Sequence, residues 1–289
     1  MTNQEPHDSS PAKHDARDGT GEGQEGWSED TGEEAAGMTR SPDRFVQSFA
    51  KGLSVICAFD PQSPMTIADL AQASALDRAG TRRILLTLEA LGYVRTDGKH
   101  FWLTPRVLNL GYRYLASLPF WHLAQPVLEE LVAEVQETCS IGVLDGDNVM
   151  FILRVPTRRY LSFDPSIGSH VPAYVHSIGR VLLARISEAE LRAYLNRVKL
   201  TQLTRHTIAS KEELERALRE DREKGWSFVS EQYEEGMCGI ATPILDAAGV
   251  PVAALNVSLT AGPQAEDIAT NHILTKLRLA ARRLSTQVR

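Results

Sequence analysis

The chain has 289 residues, 43% of them hydrophobic, enough to bury a core and long enough for about two domains. Its formal net charge is −6, and its three cysteines, Cys57, Cys139 and Cys238, lie far apart with no C-x-x-C spacing, which argues against a disulfide framework or a cysteine zinc site. No basic-then-apolar leader opens the sequence and no apolar run approaches the roughly 20 residues that span a bilayer, so a soluble, cytoplasmic protein without a membrane partner is expected.

Charge is spread unevenly. Residues 1–43 hold eleven acidic and three basic side chains, residues 44–114 hold nine basic and five acidic, and the remainder is nearly balanced. The first segment is rich in Gly, Glu, Asp and Ser, with Trp27 and Met38 almost its only large apolar side chains. It cannot bury enough surface to offset its ordering entropy and is expected to be a disordered acidic tail. Such a tail either solvates the protein or competes with DNA for a basic neighbour.

From Phe45 the pattern turns helical: Phe49, Leu53 and Ile56, with Val55 and Phe59 beside them, recur at helical spacing until Asp60-Pro61 stops the run. Thr66, with Asp69 three positions on, caps a short second helix whose apolar face is Ile67, Leu70 and Ala71. After a break at Ala75 and Leu76, Asp77 caps a third helix; Ile84, Leu85, Leu88 and Leu91 form its apolar face and Gly92 ends it. Two β-prone runs then flank Asp97-Gly98, a pair suited to a tight hairpin. Three helices and a hairpin over residues 44–104 make a winged helix-turn-helix. With the leucines of the third helix committed to the core, Arg78, Thr81 and Arg82 near its start and Arg83 on its flank are expected to face outward. There a recognition helix meets base edges in the major groove of double-stranded DNA. Arg95, Lys99 and His100 of the hairpin are placed to lie against the phosphate backbone or in the minor groove.

Thr104-Pro105 opens a linker helix over residues 105–119, with a stripe of Leu108, Tyr112 and Leu115, and Pro119 closes it. One recognition helix covers few base pairs, so this helix and the first are expected to join two chains on a palindromic operator. Residues 120–289 alternate helix and strand signals. A helix in "QPVLEELVAEVQETC" precedes two strands in "SIGVLDGDNVMFILRV" about a turn at Gly146; a charged helix ending at Gly225 precedes a strand pair about Ala248-Gly249 and a last helix in "ILTKLRLAARRLSTQV". This predicts an antiparallel sheet flanked by helices, with a pocket at one sheet face. In "GSHVPAYVHSIGRVLLA" a loop feeds a helix beginning near Ser177, whose free N–H groups suit the carboxylate of a small organic acid. Asn256 and Ser258, two apart, share one strand face. No G-x-S-x-G, H-E-x-x-H, G-x-G-x-x-G or Walker loop occurs, so no catalytic residue, cofactor or metal is expected and the chain is not read as an enzyme. The rival reading is a constitutive, architectural DNA binder with no small-molecule effector.

The stretches "FVQSFAKGLSVICAFD", "LDRAGTRRILLTLEALGYVRTDGKHFWLTPRVLNLGYRYLAS" and "GSHVPAYVHSIGRVLLA" together resemble the IclR family of bacterial transcriptional regulators. That resemblance implies an α+β protein: an N-terminal winged helix-turn-helix, a linker helix and a C-terminal GAF-like or profilin-like effector-binding domain. It further implies dimers or dimers of dimers, with RNA polymerase among the partners. "RRILLTLEALGY" and "NVS" are most similar to the branch controlling aromatic-acid catabolism through the β-ketoadipate pathway. By that resemblance the effector pocket takes Val171, Ser177, Ile178, Asn256 and Ser258 and, less directly, Phe163, Met237 and Gly239. Where the branch reads G-L-R-S-I-A, this chain reads "GMCGIA". Cys238 thus replaces an arginine whose charge-assisted hydrogen bond to an acid would contribute roughly 1.5–3 kcal/mol. Lacking a basic neighbour in sequence, Cys238 is expected to be a packed thiol rather than an oxidant sensor.

Overall fold

The computed structural model describes residues 45–157 and 166–288. The acidic tail and Phe163 lie outside the described residues.

Helices α1 (Gln47–Cys57), α2 (Ile67–Ala73) and α3 (Arg78–Ala90) enclose a small core of Val55, Leu70, Leu85 and Leu88. The caps read from the sequence are in place. Asp69 Oδ2 accepts from the Thr66 N–H at 2.8 Å while Thr66 Oγ1 accepts from the Asp69 N–H at 3.3 Å, a reciprocal capping box. Asp77 Oδ1 accepts from the Gly80 N–H at 2.7 Å. Strands β1 (Met65–Thr66), β2 (Val94–Thr96) and β3 (His100–Leu103) form an antiparallel sheet in the order β1-β3-β2. The hairpin tip turns through Gly98 at φ +97°, a region closed to most side chains. Asp97 Oδ1 accepts from the N–H groups of Lys99 and His100 at 2.9 and 2.8 Å, which holds its carboxyl down at about 2.

Much of this module's apolar surface stays open. Phe49 is 67% exposed, and α4 (Leu108–Ser117) buries none of its residues, with Leu108 71% and Tyr112 63% exposed. Leu91, expected in the core, is 52% exposed: it sits past the last turn of α3 and borders a groove of about 890 Å³ with Phe49, Leu53 and Ile84.

The second unit is built on a six-stranded antiparallel sheet of β4 (Thr138–Asp145), β5 (Asn148–Val155), β6 (His170–Pro172), β7 (Ser227–Ser230), β8 (Met237–Leu245) and β9 (Pro251–Thr260), ordered β6-β5-β4-β9-β8-β7. Side chains alternate across it. Cys139, Ile141 and Val143 point into a layer with α5 (Trp121–Val135) and α10 (Leu274–Ser285), packed around Leu128, Ile240, Leu255 and Leu277. The opposite face meets α6 (Ser177–Leu183), α7 (Glu188–Arg197) and α8 (Lys211–Lys224) around Phe151, Ile178, Tyr194, Leu214 and Leu218. Both expected hairpins and the Gly225 helix end are present. The short β6 and β7, and α7, were not anticipated. Nor was the C-terminal entry, where α9 (Ala265–Ile268) passes through a π-helical turn, Ala269–Ile273, into α10. Among the described residues no helix is long and apolar enough to cross a membrane.

Candidate DNA interface and effector cavity

Asp77 starts α3 so that Arg78, Arg82 and Arg83 emerge on its exposed side, and among the described residues none of the three guanidinium groups has an ion-pair or hydrogen-bond partner. Thr81 does not join them. It is fully buried and its hydroxyl donates to the Asp77 carbonyl at 2.9 Å, because positions 81, 85 and 88 fall on one helical face with the core leucines. On the wing, Arg95 is exposed with its guanidinium carbon 4.9 Å from the Trp102 ring centre, its cross-strand partner. Lys99 is exposed at the tip, and the partly buried His100 is held by Nδ1 3.2 Å from Asp97 Oδ2.

In the second unit, cross-strand register sets Arg154 of β5 beside Ser140 of β4, and Ser140 beside Asn256 of β9; Thr138 pairs with Ser258, and Ser258 with Gly239 of β8. Directly opposed residues share a face. An otherwise apolar sheet face therefore carries a polar patch, over which α6 lies. Asn256 Nδ2 donates to Ser177 Oγ at 2.9 Å and Ser258 Oγ donates to Asn256 Oδ1 at 3.0 Å, all three being buried. Ser140 is 0% exposed and its hydroxyl has no hydrogen-bond partner among the described residues. Two glycines allow the close approach. A Cβ at Gly179 would overlap the Ala173 carbonyl, and one at Gly239 would stand 2.8 Å from Asn256 Nδ2.

Beside this patch lies a small cavity of about 30 Å³, bordered by His176, Ser177, Glu231, Tyr233, Met237 and Gly239 among others. His176 packs edge-on to Phe151 at 5.3 Å between ring centres, and burial together with the Arg154 charge pushes its imidazole down to about 4. Its Nδ1 accepts from the Ile178 N–H at 3.2 Å, which assigns the ring proton to Nε2. Below the patch, Arg180 of α6 lies 3.2 Å from Asp221 of α8 by Nη2, and Asp221 accepts from Ser227 Oγ of β7 at 2.9 Å. Both charges are nearly inaccessible.

Several sequence-based site residues fall elsewhere than expected. Ser177, Met237 and Gly239 border the cavity, and Asn256 and Ser258 lie under it, bonded to Ser177. Val171 and Ile178 do not border it; both are 0% exposed and pack in the apolar layer. The start of α6 is not an open anion seat, since His176 caps it and all seven of its residues are buried. Cys238 packs in the opposite layer, on the α5 and α10 side, with its thiol pushed up to about 12 by burial. A longer side chain there starts from the face away from Asn256, so the Cys238 difference removes no group from the patch. Arg154, Ser140, Thr138 and His176 escaped the sequence reading. The polar alternation Thr138, Ser140, Gly142 was visible, but the register that adds Arg154 was not.

A winged helix-turn-helix joined to a sheet domain that buries a polar patch beside a cavity defines a transcriptional regulator with separate DNA-binding and effector domains. Residues 48–98 match the IclR helix-turn-helix domain, and residues 112–286 match the family described as bacterial transcriptional regulator IclR C-terminal. The chain belongs to the IclR family, whose members regulate transcription and are not enzymes. It is 39% identical over 253 residues to the Pca regulon regulatory protein of Pseudomonas putida, covering 87% of each chain. A transcriptional regulator of Rhodococcus sp. RHA1 superposes with a TM-score of 0.74 at 41% identity, over 84% of this chain and 98% of that one. An IclR homologue from Microbacterium hydrocarbonoxydans, solved with 4-hydroxybenzoate, shares the fold at a TM-score of 0.73 and 24% identity, over 83% and 98%.

Proposed function

We propose that this regulator controls genes of aromatic-acid catabolism, of the β-ketoadipate type, and responds to a small aromatic carboxylate held between α6 and the polar patch. The observation that carries this reading is the patch itself: a buried serine hydroxyl without a partner among the described residues, an arginine and a bonded Ser177-Asn256-Ser258 run on a sheet face whose surroundings are apolar. Burying unsatisfied polar groups is costly unless a ligand or water completes them. Arg154 is the cation for the carboxylate, and the His176 Nε2–H is a donor for a ring substituent. The cavity holds little more than one water-sized molecule, so ring entry displaces the covering segment that carries Glu231 and Tyr233. The 4-hydroxybenzoate bound by the Microbacterium homologue and the Pca regulon name of the Pseudomonas relative support the ligand class.

On the DNA side, Arg78 and Arg82 read base edges, and Arg83, Arg95 and Lys99 take phosphates. The open apolar faces of α1 and α4 join two chains and set the spacing of the two α3 helices, which effector binding alters.

Thermal melting against aromatic acids and dicarboxylates tests the effector reading. A ligand at 100 times its Kd stabilises the protein by about 2.7 kcal/mol, a shift of a few degrees, and Ser140→Val combined with Arg154→Met abolishes it. Flat curves across the panel would favour the constitutive DNA binder.

A further inference from the structure

The start of the described chain lies beside the helix that carries Arg78, Arg82 and Arg83. Val46 and Gln47 at the head of α1 border the same groove as Asp77, Gly80 and Arg83 at the head of α3. What precedes them in sequence is acidic: residues 22–43 contain Glu22, Glu25, Glu29, Asp30, Glu33, Glu34 and Asp43 against a single base, Arg40. Glu34 stands eleven residues before Phe45. At up to about 3.5 Å per residue that length of chain reaches further than the first two turns of α3, which rise only about 10 Å. On α3, the guanidinium groups of Arg78, Arg82 and Arg83 are exposed and without partners among the described residues.

We propose that the acidic segment 22–43 docks in cis on the arginine face of α3 and competes there with the phosphates of duplex DNA. The segment supplies a charge those guanidiniums do not find among the described residues, it is tethered at the edge of the face, and carboxylate and phosphate satisfy the same donors. Attachment through a short stretch of chain makes the contest intramolecular, with an effective concentration near the millimolar range, so weak contacts suffice. DNA is bound only after the segment is displaced. Affinity for every sequence falls by the same factor, and random sites, held weakly at the outset, drop below use first.

The test uses the full chain with Glu29, Asp30, Glu33 and Glu34 changed to Gln or Asn. Binding to operator and random duplexes is expected to tighten about tenfold at 50 mM salt, with the gap closing as salt rises. A control carrying the same charge change on the exposed face of α8 (Glu212, Glu213, Glu220 and Glu223 to Gln) is expected to move binding less than twofold. Equal gains in the two variants would reduce the effect to net charge and overturn the proposal, as would no gain in either. A second arm needs no DNA and so separates this inference from the DNA-reading role on which it rests. A labelled peptide of residues 22–43 is expected to bind the tail-neutralised chain and to lose binding when Arg78, Arg82 and Arg83 are changed to Ala. Peptide binding that survives those changes, or none before them, would also overturn it.

Discussion

The two halves of the molecule solve opposite problems. The DNA-binding module has a core of few residues and leaves large apolar side chains in the open: Phe49, Leu53, Leu91, Leu108 and Tyr112 are all more than two-fifths exposed. The effector domain is packed in two layers and buries charged and neutral polar groups inside, namely Arg180 with Asp221 and the Ser140, Asn256 and Ser258 patch. The first half carries surface that a second chain can cover. The second carries polar groups whose spacing is held by the fold, so that one displaced element strains its neighbours.

Three experiments sharpen that contrast, in descending size. Asp221→Ala strips the counter-charge from the buried Arg180 guanidinium. Breaking such a pair costs about 3–5 kcal/mol, read in urea as loss of the effector-domain transition at a lower midpoint while the helix-turn-helix is spared. Arg180→Met with Asp221→Leu is expected to recover much of that loss.

Acidification acts on the same half. The folded imidazole of His176 titrates near 4, below its ordinary 6.5, so the unfolded chain takes up a proton that the folded one resists. Its contribution is complete above about pH 6.5 and is lost as pH falls towards 4, by up to about 3 kcal/mol. His176→Asn, which keeps a capping oxygen, is expected to flatten that slope in a pH series of denaturation curves; an unchanged slope would assign the acid sensitivity to other groups.

The smallest effect belongs to the open half. Leu53→Ala is expected to change the stability of dilute, monomeric protein by less than about 0.5 kcal/mol, whereas Leu85→Ala in the core costs about 2–5 kcal/mol. Sedimentation at higher concentration checks the converse, since Leu53→Ala is expected to weaken self-association and Leu85→Ala to act through folding.

What the sequence disclosed follows the range of the interactions. Capping and turning are decided within four residues, and Thr66 with Asp69, Asp77, Asp97-Gly98 and Gly225 could be read from the letters alone. Thr81 was misassigned although its four-residue spacing from Leu85 was equally local; the arginines around it drew the reading outward. Arg154 lies far from Asn256 along the chain and meets the patch only through the β5-β4-β9 register, with a bulge between Ile141 and Gly142, which no local pattern encodes. Val171 and Ile178 came from resemblance, and the structure places both in the apolar layer beside the cavity. The arginine face of α3 was legible; that its guanidiniums have no partner among the described residues was not.

The two-residue strand β1 ties the wing to the helix-turn-helix, beside the direct packing of α3 on β2. Thr66 pairs with His100 in the sheet and also caps α2, which packs on α3. Wing and recognition helix therefore tilt as one stiff body, with no joint at which either can be re-aimed. A duplex whose groove geometry departs from that fixed pose must itself bend to fit, and the elastic price of that bend falls on base steps the protein never touches.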